Sequence, residues 1–485
     1  MNKIKKTALV LIVIPILLLN SPVYALQDIK VEKNSVLSLN DCINIALKNS
    51  PYVKNAKYNY EISKTNVTSA RSEFFPTIGV GTGYNFTGTK AKHRSSSSNI
   101  YSVEASLNQL IWNFGRTNAR IKMEKFYQIA DQYTFDNTVR ETIFSVKQRY
   151  YEVLAARATV IINKAYVDIN ERNYQRTKAY FDEGLKSKID LVNAEVTLSD
   201  SKISLIQSQN AYKNALVNLN NTMYLTDAPQ YSIKSTEEFN IKNNIAPVDL
   251  TNMERPAIAE KTKAPEGVKD AKLLTSVEKW DVLTDYEVEE FPYSFDECIE
   301  IAYKNRADLK AYNSTLDAVK ENLVYVKRNY YPEISASAGY TFRDLNNTNS
   351  LNVGVNMSSY VNIMAQKANV DAAKFQVAIA ENSLNQLNQD IYFEVQNAYI
   401  NMIELEKQIP LLAVRVEQTF ENYQLAEGRY YVGLGDYIQL QDAKVNYNNA
   451  QCSYIETIYN YNVAKAELES VIALPQEVTI SIEEK

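Results

Sequence analysis

The chain has 485 residues, with 52 Lys and Arg against 57 Asp and Glu, a formal charge of −5 and one histidine. That balance offers no basic face for nucleic acid. His93 alone, in a predicted loop, cannot build a Ser-His-Asp triad or a zinc site, and no P-loop or dinucleotide fingerprint is present. Nothing points to an enzyme or to a bound cofactor or metal.

In chain order, Lys3, Lys5 and Lys6 precede an apolar run from Ala8 to Leu19, with Val23 and Ala25 as small residues ahead of a cleavage point. The run is too short for a spanning helix and predicts a signal peptide over residues 1–25. Removing its lysines leaves a mature charge of −8. No later stretch is apolar enough for a membrane helix, so any membrane contact must be made by strands in a closed barrel. Mean hydropathy is −0.33, but barrel strands barely raise that index. Cys42, Cys298 and Cys452 are an odd, sparse set, expected as small buried residues rather than a disulfide framework.

The rest is one unit written twice. Ser38-Leu39-Asn40-Asp41-Cys42-Ile43 matches Ser294-Phe295-Asp296-Glu297-Cys298-Ile299, an offset of 256 that also pairs Pro76 with Pro332 and Gly83-Tyr84 with Gly339-Tyr340. Further on the offset is 249, pairing Gly184-Leu185 with Gly433-Leu434 and Tyr212 with Tyr461. The first copy is therefore seven residues longer, and Lys90 to Asn99, with its serine run, is the expected insertion. The units are residues 26–225 and 294–474, joined by a polar, proline-rich linker (226–293) and followed by a short tail (475–485). Pro229 to Ile233 and Pro475 to Ile480 look like small strands packed outside the helices.

Each unit reads as helix, two strands, long helix, short helix. The first helices are expected over Leu39–Phe74 and Phe295–Tyr330, with Asn40 or Asp41, and Asp296, as N-caps. Ile78, Val80, Tyr84 and Phe86 alternate with Gly79, Gly81, Gly83 and Asn85; Tyr101 to Asn108, Ile334 to Phe342 and Leu351 to Ser358 alternate likewise. Period two over about 10 residues, apolar on one side and small or polar on the other, fits lipid-facing strands around a wet lumen. Long helices follow over Asn113–Phe181 and Asn362–Tyr430, each about 100 Å long, with Pro410 expected to kink the second. Helices half as long run over Ile189–Tyr224 and Ile438–Ala473. Their heptad stripes, Leu191 to Thr222 and Leu440 to Val471, correspond residue for residue, as coiled-coil packing requires.

Four strands cannot close a barrel whose smallest single-chain form has about eight, so copies must combine, and three would give twelve. With Leu39–Pro51, Pro76–Tyr84, the run Leu110 to Arg116 and the two helical turns Phe181–Asp190 and Arg429–Asp436, the chain resembles the TolC family of outer-membrane efflux proteins. The resemblance implies a mainly α fold with membrane β: a trimeric 12-stranded outer-membrane β-barrel, four strands per chain, continued by a periplasmic α-helical coiled-coil barrel. It implies a homotrimer among outer-membrane lipids, a passive duct served by a periplasmic adaptor protein and an inner-membrane pump. The adaptor would meet the tips at Gly184, Leu185 and Ser187 and at Gly433, Leu434 and Asp436. A constriction at the periplasmic end would fall at Asp442 and Gln439, with Asp190 and Asn193 at the aligned sites of the first copy. Gln439 departs from the acid expected there, and Val361 to Met364 lacks the Gly-Arg of Gly115-Arg116. An outlet dedicated to protein secretion uses the same duct; a periplasmic coiled-coil adaptor would explain the helices but not the strands.

Overall fold

Each copy begins on a capping box. Ser38 accepts a hydrogen bond from the backbone N–H of Asp41, whose carboxylate accepts from the backbone of Ser38, and Ser294 with Glu297 repeats the pair. The N-caps are thus these serines, not Asn40, Asp41 or Asp296, because a capping serine leaves the acid three positions on free to close the box. The computed structural model describes residues 31–91, 94–225, 230–234, 291–344, 348–359 and 362–475. The signal segment, His93, most of the linker and the tail beyond residue 475 lie outside them.

Strand β1 (Val36–Leu37) precedes α1 (Leu39–Asn49), α2 (Pro51–Ser72), β2 (Thr77–Ala91), β3 (Arg94–Trp112), α3 (Arg116–Asp182) and α4 (Lys188–Thr222). After β4 (Ser232–Ile233), the second copy runs α5 (Phe295–Asn305), α6 (Ala307–Arg328), β5 (Glu333–Arg343), β6 (Thr348–Ser358), α7 (Ile363–Tyr431) and α8 (Tyr437–Val471). Strand β4 pairs in parallel with β1, so the Ser232–Ile233 end of the linker returns to the start of the first copy. Pro410 sits inside α7, which stays helical through it.

The first helix, expected as one element, is two in each copy. Pro51 takes the first position of α2, where its missing N–H is no loss, and it holds Ser50 extended at φ −55°, ψ 119°. Arg306 has almost the same backbone, φ −55°, ψ 123°, with no proline after it. Side-chain bonds hold this second break. The buried Arg306 guanidinium donates to Asp308 at 3.0 and 2.6 Å, to Glu394 of α7 at 2.6 Å and to the Val471 carbonyl at the end of α8 at 3.3 Å.

The four long strands form one antiparallel sheet in the order β2-β3-β5-β6. Register sorts the side chains into continuous rows: Val80, Ala105, Tyr340 and Leu351 lie side by side on one face, and Gly81, Glu104, Thr341 and Ser350 on the other. The apolar face stands in the open, with Ile78 and Val353 more than three-quarters exposed. Aromatic side chains bound it at both ends. Phe114 stacks on Tyr331 and meets Trp112 edge-on at the helical end, while Tyr84 packs on Tyr101 at the other. From Trp112 to Tyr101 along β3 is about 37 Å of strand, or about 28 Å in height at a 40° tilt. That matches the ~25 Å apolar band of outer-membrane barrels.

The seven extra residues are not the loop expected. They lengthen the first hairpin, with Thr87 to Ala91 paired to Ser98 to Arg94, so β2 and β3 run on past the ends of β5 and β6. Thr87 and Thr89 face Ser98 and Ser96 across the hairpin, which keeps a β-compatible backbone there.

Below the sheet, α3 packs against α2, α4, α6 and α8, and α7 against α6 and α8. The heptad stripe predicted for α8 from Leu440 to Leu468 is buried at every position, with Tyr454 and Tyr461 at its centre. Cys42 and Cys298 occupy matching buried places under α1 and α5, and all three cysteines are free. Burial pushes the Cys42 thiol up to about 12, which keeps it inert.

Arg306 tests how the second break is held. Removing a buried partner from an ion cluster costs about 3 kcal/mol where one acid, here Glu394, is half exposed; a lost serine cap costs about 1 kcal/mol. Arg306→Ala should therefore lower the thermal unfolding midpoint in detergent clearly more than Ser50→Ala does. Equal shifts would show that the cluster does not hold the break.

Candidate functional site: the paired helical tips

The end of the molecule farthest from the sheet is built by two matching helix-turn-helix tips. Gly184 and Gly433 both have φ close to +79°, a conformation that an L side chain occupies only at a cost of about 1–2 kcal/mol. Each closes its long helix with paired turn bonds. Gly184 and Leu185 donate to the carbonyls of Phe181 and Tyr180, and Gly433 and Leu434 to those of Tyr430 and Arg429. Leu185 and Leu434, the residues just past the glycines, are 66% and 74% exposed. They give each tip an apolar crown with no cover inside the chain.

The returning helices are capped differently. Ser187 accepts from the N–H of Asp190, and the Asp190 carboxylate accepts from the Ser187 hydroxyl at 2.8 Å and its backbone at 3.2 Å. In the second tip Asp436 caps α8 alone, accepting from the Gln439 N–H at 2.7 Å.

The two tips hold each other. Lys186 of the first lies over the Tyr430 ring of the second at 3.8 Å. One turn up, Arg176 covers Tyr431 at 4.2 Å and reaches Glu427 at 4.0 Å, while the Tyr431 hydroxyl donates to Asn173 at 2.8 Å. The buried Tyr437 hydroxyl donates to Thr197 at 3.1 Å. Burial pushes the Tyr430 phenol up to about 12, the Asp190 charge adding to the rise. Burial raises the Tyr431 and Tyr437 phenols likewise, so their hydroxyls act as neutral donors at any physiological pH.

The expected constriction residues fall into two unlike pairs. Gln439 and Asp442 are both exposed on α8, one turn apart, and head a polar stripe continued by Asn446, Asn449 and Glu456. Asp190 and Asn193 are half buried; Asp190 is engaged in the capping box, and the Asn193 carbonyl accepts from Thr197. Of the four, Asp190 is the one whose side chain a hydrogen bond holds in place.

Lys444 was not anticipated. Counted only as part of a heptad helix, it proves 2% exposed, facing Ile162, Tyr166 and Ile169 of α3 and Tyr423 of α7 around a cavity of about 10 Å³. Its Nζ has no hydrogen-bond partner among the described residues. Burial, opposed by Glu427 and reinforced by Arg176, brings its pKa down to about 7. A lysine inside a run of Leu, Ala and Tyr on α8 was the available signal.

Residues 42–223 and 298–474 match the protein family described as Outer membrane efflux protein. The chain is 25% identical over 182 residues to the Alkaline protease secretion protein AprF of Pseudomonas aeruginosa, covering 36% of this chain and 37% of that one. It is 22% identical over 170 residues to Outer membrane protein TolC of Escherichia coli, covering 35% and 34%. The matched stretches thus span little more than a third of these curated relatives. Solved structures agree over nearly the whole chain: CusC with TM-score 0.71 and 14% identity, over 93% of this chain and 99% of that one. The open state of Neisseria gonorrhoeae MtrE gives 0.67 and 16%, over 93% and 97%.

The folded chain releases the Lys444 proton near 7, whereas the unfolded chain keeps it up to the ordinary lysine value of 10.5. Between those values the unfolded state binds the extra proton, so stability rises with pH, and the penalty is fully present below 7. Lys444→Met should raise the unfolding midpoint at pH 6 and flatten its climb between pH 7 and 10. An unchanged climb would mean that Lys444 is not the titrating group.

Proposed function

The chain belongs to the outer membrane efflux protein family, and on that premise we propose that it is a passive exit duct. Three copies close one 12-stranded barrel in the outer membrane and one helical tunnel below it. The observation that carries this reading is the sheet: an exposed apolar face about as tall as a membrane, aromatic boundaries at both ends, and outer strands β2 and β6 each paired on one side only. Such edges cannot stay unpaired in lipid. The polar face, with Glu104, Ser106, Thr341 and Asn352, then lines the lumen.

The tips would receive the periplasmic adaptor. Leu185 and Leu434 supply apolar contacts, the αL turns at Gly184 and Gly433 fix their direction, and Ser187 and Asp436 keep the returning helices in place. The inner-membrane pump supplies the energy. Small molecules are one cargo; the relation to AprF, named for alkaline protease secretion, favours protein as a second.

Around the axis of a trimer, three copies of Asp442 and Gln439 would ring the periplasmic mouth, with Asp190 and Asn193 behind them. A narrow, weakly solvated mouth strengthens the field of such charges, favouring cations. In planar bilayers, Asp442→Ala should reduce cation selectivity and relieve block by divalent ions, while Asp190→Ala, whose carboxylate caps a helix, should change them less. Unaltered selectivity in Asp442→Ala would place the constriction elsewhere.

The long first hairpin carries the orientation. A cysteine at Ser97 should react with an impermeant maleimide on intact cells, since both helical ends lie on the opposite side of the sheet. Reaction only after the outer membrane is permeabilised would reverse the topology.

A further inference from the structure

Within the chain, the seam between α3 and the α7–α8 pair changes character toward the tips. From Ala130 to Val160 the buried residues of α3 are Ala, Val, Ile, Leu and one Tyr; from Asn163 to Thr177, four of the six are Asn or Thr. The buried Lys444 and Gln451 of α8 lie in the same stretch. Its polar groups are incompletely paired among the described residues. Asn448 Nδ2 reaches Asn163 of α3 only at 3.5 Å, and its Oδ1 has no partner. Asn173 accepts from Tyr431, yet its own Nδ2 has no partner. Each such group makes closure costly, and water would remove the cost.

Lys444 is the extreme case. It lines a cavity of about 10 Å³ with Tyr166 of α3, Tyr423 of α7, and Tyr447 and Asn448 of α8. That is room for about one water, whereas an ammonium group has three N–H donors to satisfy. The charged side chain therefore cannot be hydrated while the seam is shut, and the neutral amine can stay there. The charges around it do not settle the matter. Glu427 of α7 favours the proton and Arg176 of α3 opposes it, and these two lie 4.0 Å apart. Burial raises the phenols of Tyr166, Tyr423 and Tyr447, so all three rings face the amine uncharged near neutral pH. Arg172 of α3 acts on Tyr423, and Asp200 of α4 on Tyr166. Asp442, two residues along α8, is exposed on the other side of the helix.

We propose that Lys444 is a proton-operated latch: when it takes up a proton, the tip half of the seam between α3 and the α7–α8 pair parts to let water reach the ammonium group, and when it loses the proton the seam closes. This rests on the duct reading above and adds the regulation of its periplasmic mouth. Asp442 rides on the same helix as Lys444, so the width of the mouth follows the seam. The apolar stretch from Ala130 to Val160, with Lys147 bound to Glu469 at 3.2 Å above it, holds the rest of the seam together.

The direction follows from linkage. In the closed seam the proton leaves near 7, and on a hydrated lysine near 10.5. The parted state binds the extra proton between those values. The ratio of open to closed channels should therefore rise by up to tenfold for each unit of pH lowered from 10.5 to about 7, and level off below that.

The test is single-channel recording of the full-length protein in planar bilayers from pH 9 to pH 6. Wild type should show an open fraction that climbs toward pH 7 and then flattens. Lys444→Met should stay at the low, pH 9 level throughout, and Lys444→Gln, which keeps a polar side chain, should do the same if the Met variant does not fold. With Cys42, Cys298 and Cys452 replaced by serine or alanine, Asn163→Cys with Asn448→Cys should lock the seam on oxidation. The locked channel should stay in its low state at every pH, and reduction should restore the climb. A wild-type open fraction that is flat or falls with acid, or neutral variants that climb as wild type does, overturns the latch and leaves the duct standing. A locked channel that still climbs shows that the seam is not the moving part and overturns the latch equally. Protein that gives no conductance at any pH overturns the duct reading beneath it.

Discussion

The structure depends on one constraint, that a strand edge cannot face hydrocarbon. About half of the backbone N–H and C=O groups of an outer strand point away from its partner, and each costs several kcal/mol if left bare in lipid. Over the 15 residues of β2 and the 11 of β6 the total is on the order of tens of kcal/mol, well beyond the 5–15 kcal/mol that holds an ordinary domain together. No rearrangement within four strands removes it. On the proposed reading the sheet pairs with other copies, and the helices below inherit the ring so formed: each strand pair leads into a long helix, so closing the sheet sets the spacing of α3 and α7.

That inheritance explains why the chain is a duplication. A ring of like units needs each helix to present one side to the neighbour before it and another to the neighbour after it. Within the chain α3 does both, packing on α4 at one side and on α6 and α8 at the other. Two copies in one chain allow the joints to diverge, since the internal joint forms once per chain and the outer joint must match another molecule. Within the chain, Arg116–Glu333, Lys122–Glu321 and Lys147–Glu469 tie α3 of the first copy to the second copy. The Arg306 cluster shows the divergence at one position: a proline holds the first break through its ring, and a guanidinium holds the second through two acids and a backbone carbonyl.

Much of this was legible because it repeats. The offsets of 256 and 249, the four alternating strands and the heptads of α4 and α8 each rest on many residues, and one odd position does not erase such a pattern. The family resemblance rested on segments of the same kind, and the family match and the solved folds agree with it. What escaped was single-residue chemistry. Pro51 was read as part of a continuous helix because its fit at a first helical position depends on where the previous helix stops. The serine run was read as a loop because serine and glycine there carry no apolar alternation, yet backbone pairing between strands needs none. The capping serines lay one residue outside the helices expected.

Lys444 was hidden for a different reason: its position in the heptad marks it as covered, and its charge argues against that. Coverage wins because Ile162, Tyr166 and Ile169 of α3 and Tyr423 of α7 close over the side chain before its Nζ reaches water. The cost appears as a lowered pKa and an unpartnered ammonium group. Around it stand Glu427, 4.0 Å from Arg176, and the Tyr431 ring that Arg176 covers. The contacts between the two tips are therefore cation-on-ring contacts, single hydroxyl bonds and one long ion pair, each worth about 1 kcal/mol or less. At the level of Arg306, by contrast, two acids and a helix-end carbonyl share one buried guanidinium. The level of Arg306 is thus the strongly tied one and the tips the weakly tied one. The tips are therefore tied to each other by these weak contacts alone among the described residues, with Leu185 and Leu434 exposed at their ends.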